Sequence, residues 1–205
     1  AGMAAALNLS NADVKSGIEA VAAIPGRLES IDNTAGRYVY VDYAHTPDAL
    51  ENVIMALKAV MKDRMICVFG CGGDRDKDKR PLMGEIAARL CDLAIITSDN
   101  PRTEDPMAII NPIIEGALKA KGRQYQPADL GNGFKRKGFT VEADRKQAIR
   151  LGIAVSKPGD TVLIAGKGHE TYQILGTTTI DFDDRHEARL ALRAVSSQSS
   201  VVGGQ

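Results

Sequence analysis

The 205-residue sequence has no excess of charge of either sign. Its 26 lysines and arginines cancel its 26 aspartates and glutamates, so no basic surface argues for nucleic acid or an anionic membrane as partner. No apolar run approaches membrane-spanning length, and no basic segment leads into an apolar one at the start, so nothing suggests export. Cysteine is scarce. Cys67, Cys71 and Cys91 are an odd number without CxxC spacing, which fits reduced thiols and a cytoplasmic setting better than a disulfide framework. The three histidines have no zinc spacing and no cysteine partner for nucleophilic work. Nowhere is there a G-x-x-x-x-G-K-[ST] phosphate loop. The nearest approach to a dinucleotide fingerprint, Gly70-x-Gly72, has Arg75 where a third glycine belongs, and its helix waits until Pro81, so a nicotinamide cofactor is not expected.

What is present reads as an α/β chain. A hydrophobic content of 44% is enough for an ordinary core. Residues 1–25 read as two short Ala-rich helices, the second capped by Ser10 with Val14, Ile18, Val21 and Ala22 at core spacing, and Pro25-Gly26 marks a domain boundary. Beyond it, residues 27–31 and 37–43 flank a hairpin signal at Asp32–Gly36. Thr46-Pro47-Asp48 caps a helix to about Val60. Strands are expected at 65–69, 93–97, 139–143 and 161–165, with helices from Pro81, Asp105 and Asp144. Residues 121–138 read as a long surface loop, 171–175 and 177–182 as a hairpin about Gly176, and 183–195 as a last helix before a disordered tail, 196–205. Strands alternating with helices imply a Rossmann-like, mostly parallel sheet with helices on both faces and an antiparallel edge hairpin.

Chemistry is concentrated where strands end. Residues 70–80, 97–104 and 166–170 are charged loops at strand carboxyl ends, which share one edge of a parallel sheet. Asp99-Asn100-Pro101-Arg102 combines turn formers with a planar cation able to grip a carboxylate. Gly72 and Gly73 allow close backbone approach, and Arg75 adds a second fork of donors. Gly166 and Gly168 do the same near Glu170, which can accept from an ammonium. Each loop alone also reads as a solvated turn, and His169 as a packed histidine. Asp42-Tyr43-Ala44-His45-Thr46-Pro47 alone reads as a polar turn.

Taken in order, Pro25-Gly26-Arg27-Leu28-Glu29, Asp42–Pro47, Gly72-Gly73-Asp74-Arg75-Asp76 with Lys79-Arg80-Pro81, Asp99–Arg102, Gly166-Lys167-Gly168-His169-Glu170 and Phe182-Asp183-Asp184-Arg185 resemble the Mur ligases. The likeness is to the C-terminal part of the members that add meso-diaminopimelate in peptidoglycan synthesis. It implies residues 1–25 as the last helices of a central ATPase domain and 26–195 as the C-terminal domain that receives the amino acid. It further implies ATP and magnesium as cofactors, held mainly by a central domain this sequence does not contain. The partners it implies are meso-diaminopimelate and, through other domains, UDP-N-acetylmuramoyl-L-alanyl-D-glutamate, activated as an acyl phosphate that the incoming amine attacks. The amino-acid site carried over is Arg75, Asp99, Asn100, Pro101, Arg102, Gly166 and Glu170, and the nucleotide-side contacts are Arg27, Asp42 and His45. No catalytic or metal-ligating residue is assigned, and without a phosphate loop the chain is expected to be inactive alone. A non-catalytic ligase-like interaction module is the alternative, with a nucleotide-binding oxidoreductase domain behind it.

Overall fold

Strands of near-continuous Val, Ile, Leu and Ala dictate a sheet covered on both faces, and the computed structural model, which describes residues 7, 9–21, 24–61 and 63–202, contains one. Its strands are β1 (Glu29–Ser30), β2 (Tyr38–Asp42), β3 (Met65–Phe69), β4 (Leu93–Ile96), β5 (Arg123–Gln124), β6 (Gly138–Val141) and β7 (Thr161–Ala165). They lie in the order β1-β2-β7-β3-β4-β6-β5. β1 runs antiparallel to β2, as the hairpin signal about Gly36 implied, and every other neighbouring pair is parallel. The chain passes from β2 to β3 and returns much later to insert β7 between them. Four strands distant in sequence thus end side by side.

The period of two along β3 and β7 sorts their side chains between two cores. Cys67, Phe69, Leu163 and Ala165 face one side with α2 (Pro47–Val60), α3 (Lys79–Leu90) and α4 (Pro106–Lys119). Ile66, Val68, Val162 and Ile164 face the other, with α5 (Arg145–Val155) and α6 (Asp184–Val202). The helix starts follow the capping rule. Thr46 accepts from the Ala49 N–H at 3.3 Å, Asp105 from Met107 and Ala108 at 2.8 and 3.0 Å, and Asp144 from Gln147 at 3.0 Å. Each cap sits just past a strand end, so each helix begins at the same edge of the sheet.

Several expectations are corrected. Residues 121–138 are not a surface loop: β5 adds a parallel edge strand, and a 3₁₀ helix, Pro127–Asn132, buries Leu130 completely. One apolar side chain in a polar stretch is too weak a signal to read from periodicity. The hairpin about Gly176 is not an edge of the main sheet. Its strands β8 (Tyr172–Leu175) and β9 (Thr178–Asp181) pair only with each other as a sheet, and the antiparallel edge is supplied by β1. α3 starts at Lys79, two residues before Pro81. The last helix runs on to Val202 where a disordered tail was expected, with Ser196 and Ser197 hydroxyls bonded back to the Leu192 and Arg193 carbonyls at 3.0 and 2.8 Å, a local partner that keeps serine in a helix.

α1 (Asn11–Glu19) forms, and Ser10 caps it by accepting from the Asp13 N–H. None of its residues is buried, and Ile18 and Val21 are 68% and 58% exposed. The spacing read as core therefore meets no core among the described residues. The earlier Ala-rich helix and Ala22 lie outside the described residues, as do residues 203–205 at the end. No helix among the described residues is long and apolar enough to cross a membrane.

Candidate functional site

The loops after β2, β7, β3 and β4 meet at the carboxyl edge of the sheet, where the reversal of strand order opens a crevice. They line a cleft of about 440 Å³ with Tyr43, His45, Thr46, Gly72, Arg75, Asp76, Lys79, Asp99, Asn100, Arg102, Gly166, Glu170 and Tyr172. Six of the seven residues carried over for an amino acid are in this lining. Pro101 is the seventh, and it is buried behind the cleft with its carbonyl against Gly73.

The 70–80 and 97–105 loops are stitched together backbone to backbone. Gly73 N–H donates to the Asn100 carbonyl at 2.9 Å, and Arg102 Nη1 donates to the Gly73 carbonyl at 2.8 Å. A Cβ on Gly73 would collide with the Pro101 carbonyl, so this approach requires glycine. Thr103 Oγ1 donates to Asp74 at 2.8 Å, and Arg80 clasps Glu104 through two bonds of 3.1 and 2.8 Å. The charge run Asp74–Arg80 is thus only partly solvated: residues 74–78 are exposed, whereas Arg80 is buried under the loop. The hydrogen bonds from the Arg80 guanidinium and the Asp74 N–H, with the Arg80 and Lys77 charges, hold the Glu104 carboxyl down at about 2.

Arg102 sits at φ 53°, a left-handed conformation costly for a residue with a long side chain. The β8–β9 hairpin holds it there. Arg102 N–H donates to the Ile174 carbonyl at 3.1 Å and its carbonyl accepts from Gly176 N–H at 2.7 Å. The hairpin also binds two residues further back in the loop: Gln173 Nε2 donates to the Asp99 carbonyl at 2.7 Å and Ile174 N–H to Asn100 Oδ1 at 3.0 Å. The hairpin is therefore a strap on this loop, which explains why it left the main sheet. Arg102 Nη1 is tied to carbonyls, while Nε and Nη2 have no hydrogen-bond partner among the described residues. Among the described residues, Arg75 and Lys79 bond only to the carbonyls of Asp74 and His45. Three cations thus face one cleft without an ion-paired carboxylate among those residues.

The opposite charge lies deeper. Asp99 and Asn100 are 7% and 3% exposed at the end of β4. Burial pushes the Asp99 carboxyl up, against the pull of the Arg145 and Lys167 cations. Gly166 turns at φ 119°, which a side chain would strain, and a Cβ there would press on Asp99 Oδ2 at 2.8 Å. Glu170 Oε2 accepts from Asn100 Nδ2 at 2.9 Å.

The nucleotide-side residues are divided. His45 lines the cleft, with Nδ1 at 2.9 Å from the Tyr43 carbonyl. Arg27 lies outside the lining and stacks 4.9 Å above the Tyr43 ring, which also meets the His45 and His169 rings. Asp42 lies outside it too, and accepts from the Leu28 and Ala44 N–H groups at 2.7 and 2.8 Å. Its carboxylate is occupied in holding the two turns that frame this end.

Sequence reasoning missed Tyr43, Lys79, Lys167 and Tyr172. Lys79 and Lys167 enter the sequence reading only as members of quoted motifs. Nothing in its motif marks Lys167 as buried, because lysine is almost never fully buried; here it is completely so.

A family model described as "Mur ligase, glutamate ligase domain" matches residues 26–168. The chain belongs to the Mur ligase family. Over 193 residues it is 53% identical to a UDP-N-acetylmuramoyl-L-alanyl-D-glutamate–2,6-diaminopimelate ligase of Geobacter metallireducens, covering 94% of this chain and 38% of that protein. It is 55% identical over 170 residues to the ligase of the same name from Synechococcus elongatus, covering 82% and 31%. A solved structure of a ligase of that name superposes with a TM-score of 0.71 at 39% identity, over 88% of this chain and 34% of that one. The UDP-N-acetylmuramate-alanine ligase of Thermotoga maritima, at 16% identity and a TM-score of 0.61, shares the fold over 96% of this chain. The chain spans about a third of the length of these Mur ligases.

Proposed function

We propose that the cleft binds the incoming amino acid, meso-diaminopimelate, for an ATP-dependent ligase that joins it to UDP-N-acetylmuramoyl-L-alanyl-D-glutamate in peptidoglycan synthesis. One observation carries the reading. Arg75, Lys79 and Arg102 line the cleft and form no ion pair among the described residues, while buried Asp99 and partly buried Glu170 line it as well, with Asp76 exposed at its surface. That is the charge layout of a zwitterionic ligand. A diamino diacid has one carboxylate more than lysine, and a guanidinium with two free donors is suited to read it. The names of two Mur ligases similar to this chain support the same substrate.

The domain division belongs to this reading: residues 26–195 as the amino-acid domain and α1 as the end of a preceding one, supported by a helix that buries none of its residues. Arg27, Asp42 and His45 are assigned to the nucleotide side by family likeness, with the Tyr43 ledge beside them. ATP and magnesium are implied by the family, but no three His, Cys, Asp or Glu among the described residues group to hold a metal ion. No step is therefore routed through them here.

Calorimetry of the whole chain with meso-diaminopimelate and with L-lysine tests the proposal. Saturable binding of the first, at least tenfold tighter than the second, is expected. Equal affinity for both, or no binding of either, refutes it.

A further inference from the structure

We propose that Lys167 is the positioning residue of the cleft's ammonium-accepting end, setting both its net charge and the orientation of its acceptors. The inference rests on the amino-acid reading of the cleft, and it concerns a side chain that the ligand need not touch.

Lys167 follows β7 directly, and its side chain is entirely buried. Its Nζ lies 3.0 Å from Glu170 Oε2, 3.0 Å from Asn100 Oδ1 and 3.8 Å from Asp99 Oδ1, with the Tyr172 ring 5.4 Å away. An ammonium has three donors and no acceptor, and the two oxygens at hydrogen-bonding distance belong to residues from two different strand-end loops. A lone buried lysine would be costly, so these partners are what keep it there. In turn they are fixed by it. Asn100 Oδ1 receives two donors, Lys167 Nζ and the Ile174 N–H, so the amide nitrogen must point the other way. There it donates to Glu170 Oε2. The donor-only lysine thereby determines which way an adaptable amide faces.

The charge count has a consequence for the ligand. Asp99 and Glu170 alone would put two negative charges around one buried ammonium site, and like charges that act on one another favour protonation of one. Lys167 removes one charge and leaves one, the number that a single ligand ammonium neutralises. Asp99 is faced by Arg145, Lys167, Asp184 and Glu170. Arg145 is already matched by Asp184 in a fully buried pair, which leaves Lys167 as the cation that balances the cleft side.

The test is Lys167→Met in the whole chain, which keeps the side chain's length and removes its charge and donors. Lys146→Met, at a half-exposed pair with Glu187 away from the cleft, is the control. Carbon-13 NMR of labelled aspartate follows Asp99 without any ligand, and calorimetry follows meso-diaminopimelate from pH 5 to 8. In the variant Asp99 is expected to titrate at higher pH, and the acid loss of binding to move with it. Affinity at pH 6 should fall about tenfold, the equivalent of one pH unit, with Lys146→Met unchanged. An unmoved Asp99 titration, or an unmoved acid limb in a folded variant, overturns the proposal. If Asp99 moves but the wild-type chain binds no diamino acid, the amino-acid reading fails while the positioning of Asp99 by Lys167 stands. If Lys167→Met does not fold, nitrogen-15 NMR of the wild-type lysine amines decides. A slowly exchanging Nζ signal that shifts on adding meso-diaminopimelate supports the role, and its absence from the spectrum or indifference to ligand overturns it.

Discussion

Arg102 is the side chain on which discrimination between diamino acids should turn. Its backbone is held in a left-handed conformation by Ile174 and Gly176, and its Nη1 is spent on the Gly73 carbonyl. That leaves a pre-set fork with two free donors, so little ordering is lost when a carboxylate arrives. Truncating one partner of a charge pair costs roughly 2–5 kcal/mol when the pair is desolvated. Arg102 is only half-buried, so the lower end applies, about thirtyfold in affinity. Arg102→Ala is therefore expected to weaken meso-diaminopimelate binding by that factor and to leave the weaker L-lysine binding nearly unchanged. Equal losses for both, read by calorimetry, would show Arg102 shaping the loop rather than reading the ligand. Arg102→Lys should recover part of the loss, because it keeps the charge without the fork.

At the scale of elements, two ion pairs bind the strand-end loops to the sheet, and they differ in how they respond to change. Arg145 on α5 and Asp184 at the start of α6 form a fully buried pair at 2.7 Å, and Arg145 Nη2 also donates to the Ala165 carbonyl at the end of β7. Replacing Asp184 by Asn leaves a buried guanidinium without its countercharge, a change that typically costs about 3–5 kcal/mol. A clear fall in the urea midpoint with an unchanged m-value is expected, and a midpoint within error of the parent would contradict it. Glu104 acts through pH. Held at about 2 in the folded chain, its pKa lies below the ordinary glutamate value of 4.5, so the unfolded chain takes up its proton first on acidification. The stabilisation is full above the unfolded value and lost as pH falls towards 2. Glu104→Gln should lower the melting temperature at pH 7 and flatten its fall between pH 4.5 and 2, as measured by thermal melts across that range. A parallel, undiminished fall in the variant would assign the acid sensitivity to other carboxylates.

For the molecule as a whole, Arg27, His45 and His169 gather about the Tyr43 ring beside the cleft. This end presents rings and one stacked cation, but no phosphate loop occurs in the sequence and no acid cluster among the described residues could hold magnesium. Phosphoryl transfer depends almost wholly on such positioning. The chain by itself is thus expected to bind ATP weakly and to turn none over. Phosphate release that tracks the chain through successive purification steps would disprove this.

Sequence alone specifies the kind of sheet, the helix caps and the residues of the Asp99–Arg102 and Gly166–Glu170 loops. Buried parallel strands such as 65–69 and 161–165 must be apolar on both faces, and caps such as Thr46, Asp105 and Asp144 satisfy N–H groups within their own first turn. Those demands are local, so they are written locally. What only the tertiary structure decided is which loops adjoin. The return of β7 between β2 and β3 brings Gly166 and Glu170 beside Asp99, a long-range pairing with no periodic trace. The same holds for the hairpin strapped to Arg102, for Leu130 beneath a polar stretch, and for Lys167. A lysine after an apolar strand reads as solvated, and only the arrival of Asn100 from the loop after β4, beside the local Glu170, makes its burial tolerable, because a buried charge is stable only where its partners are assembled around it.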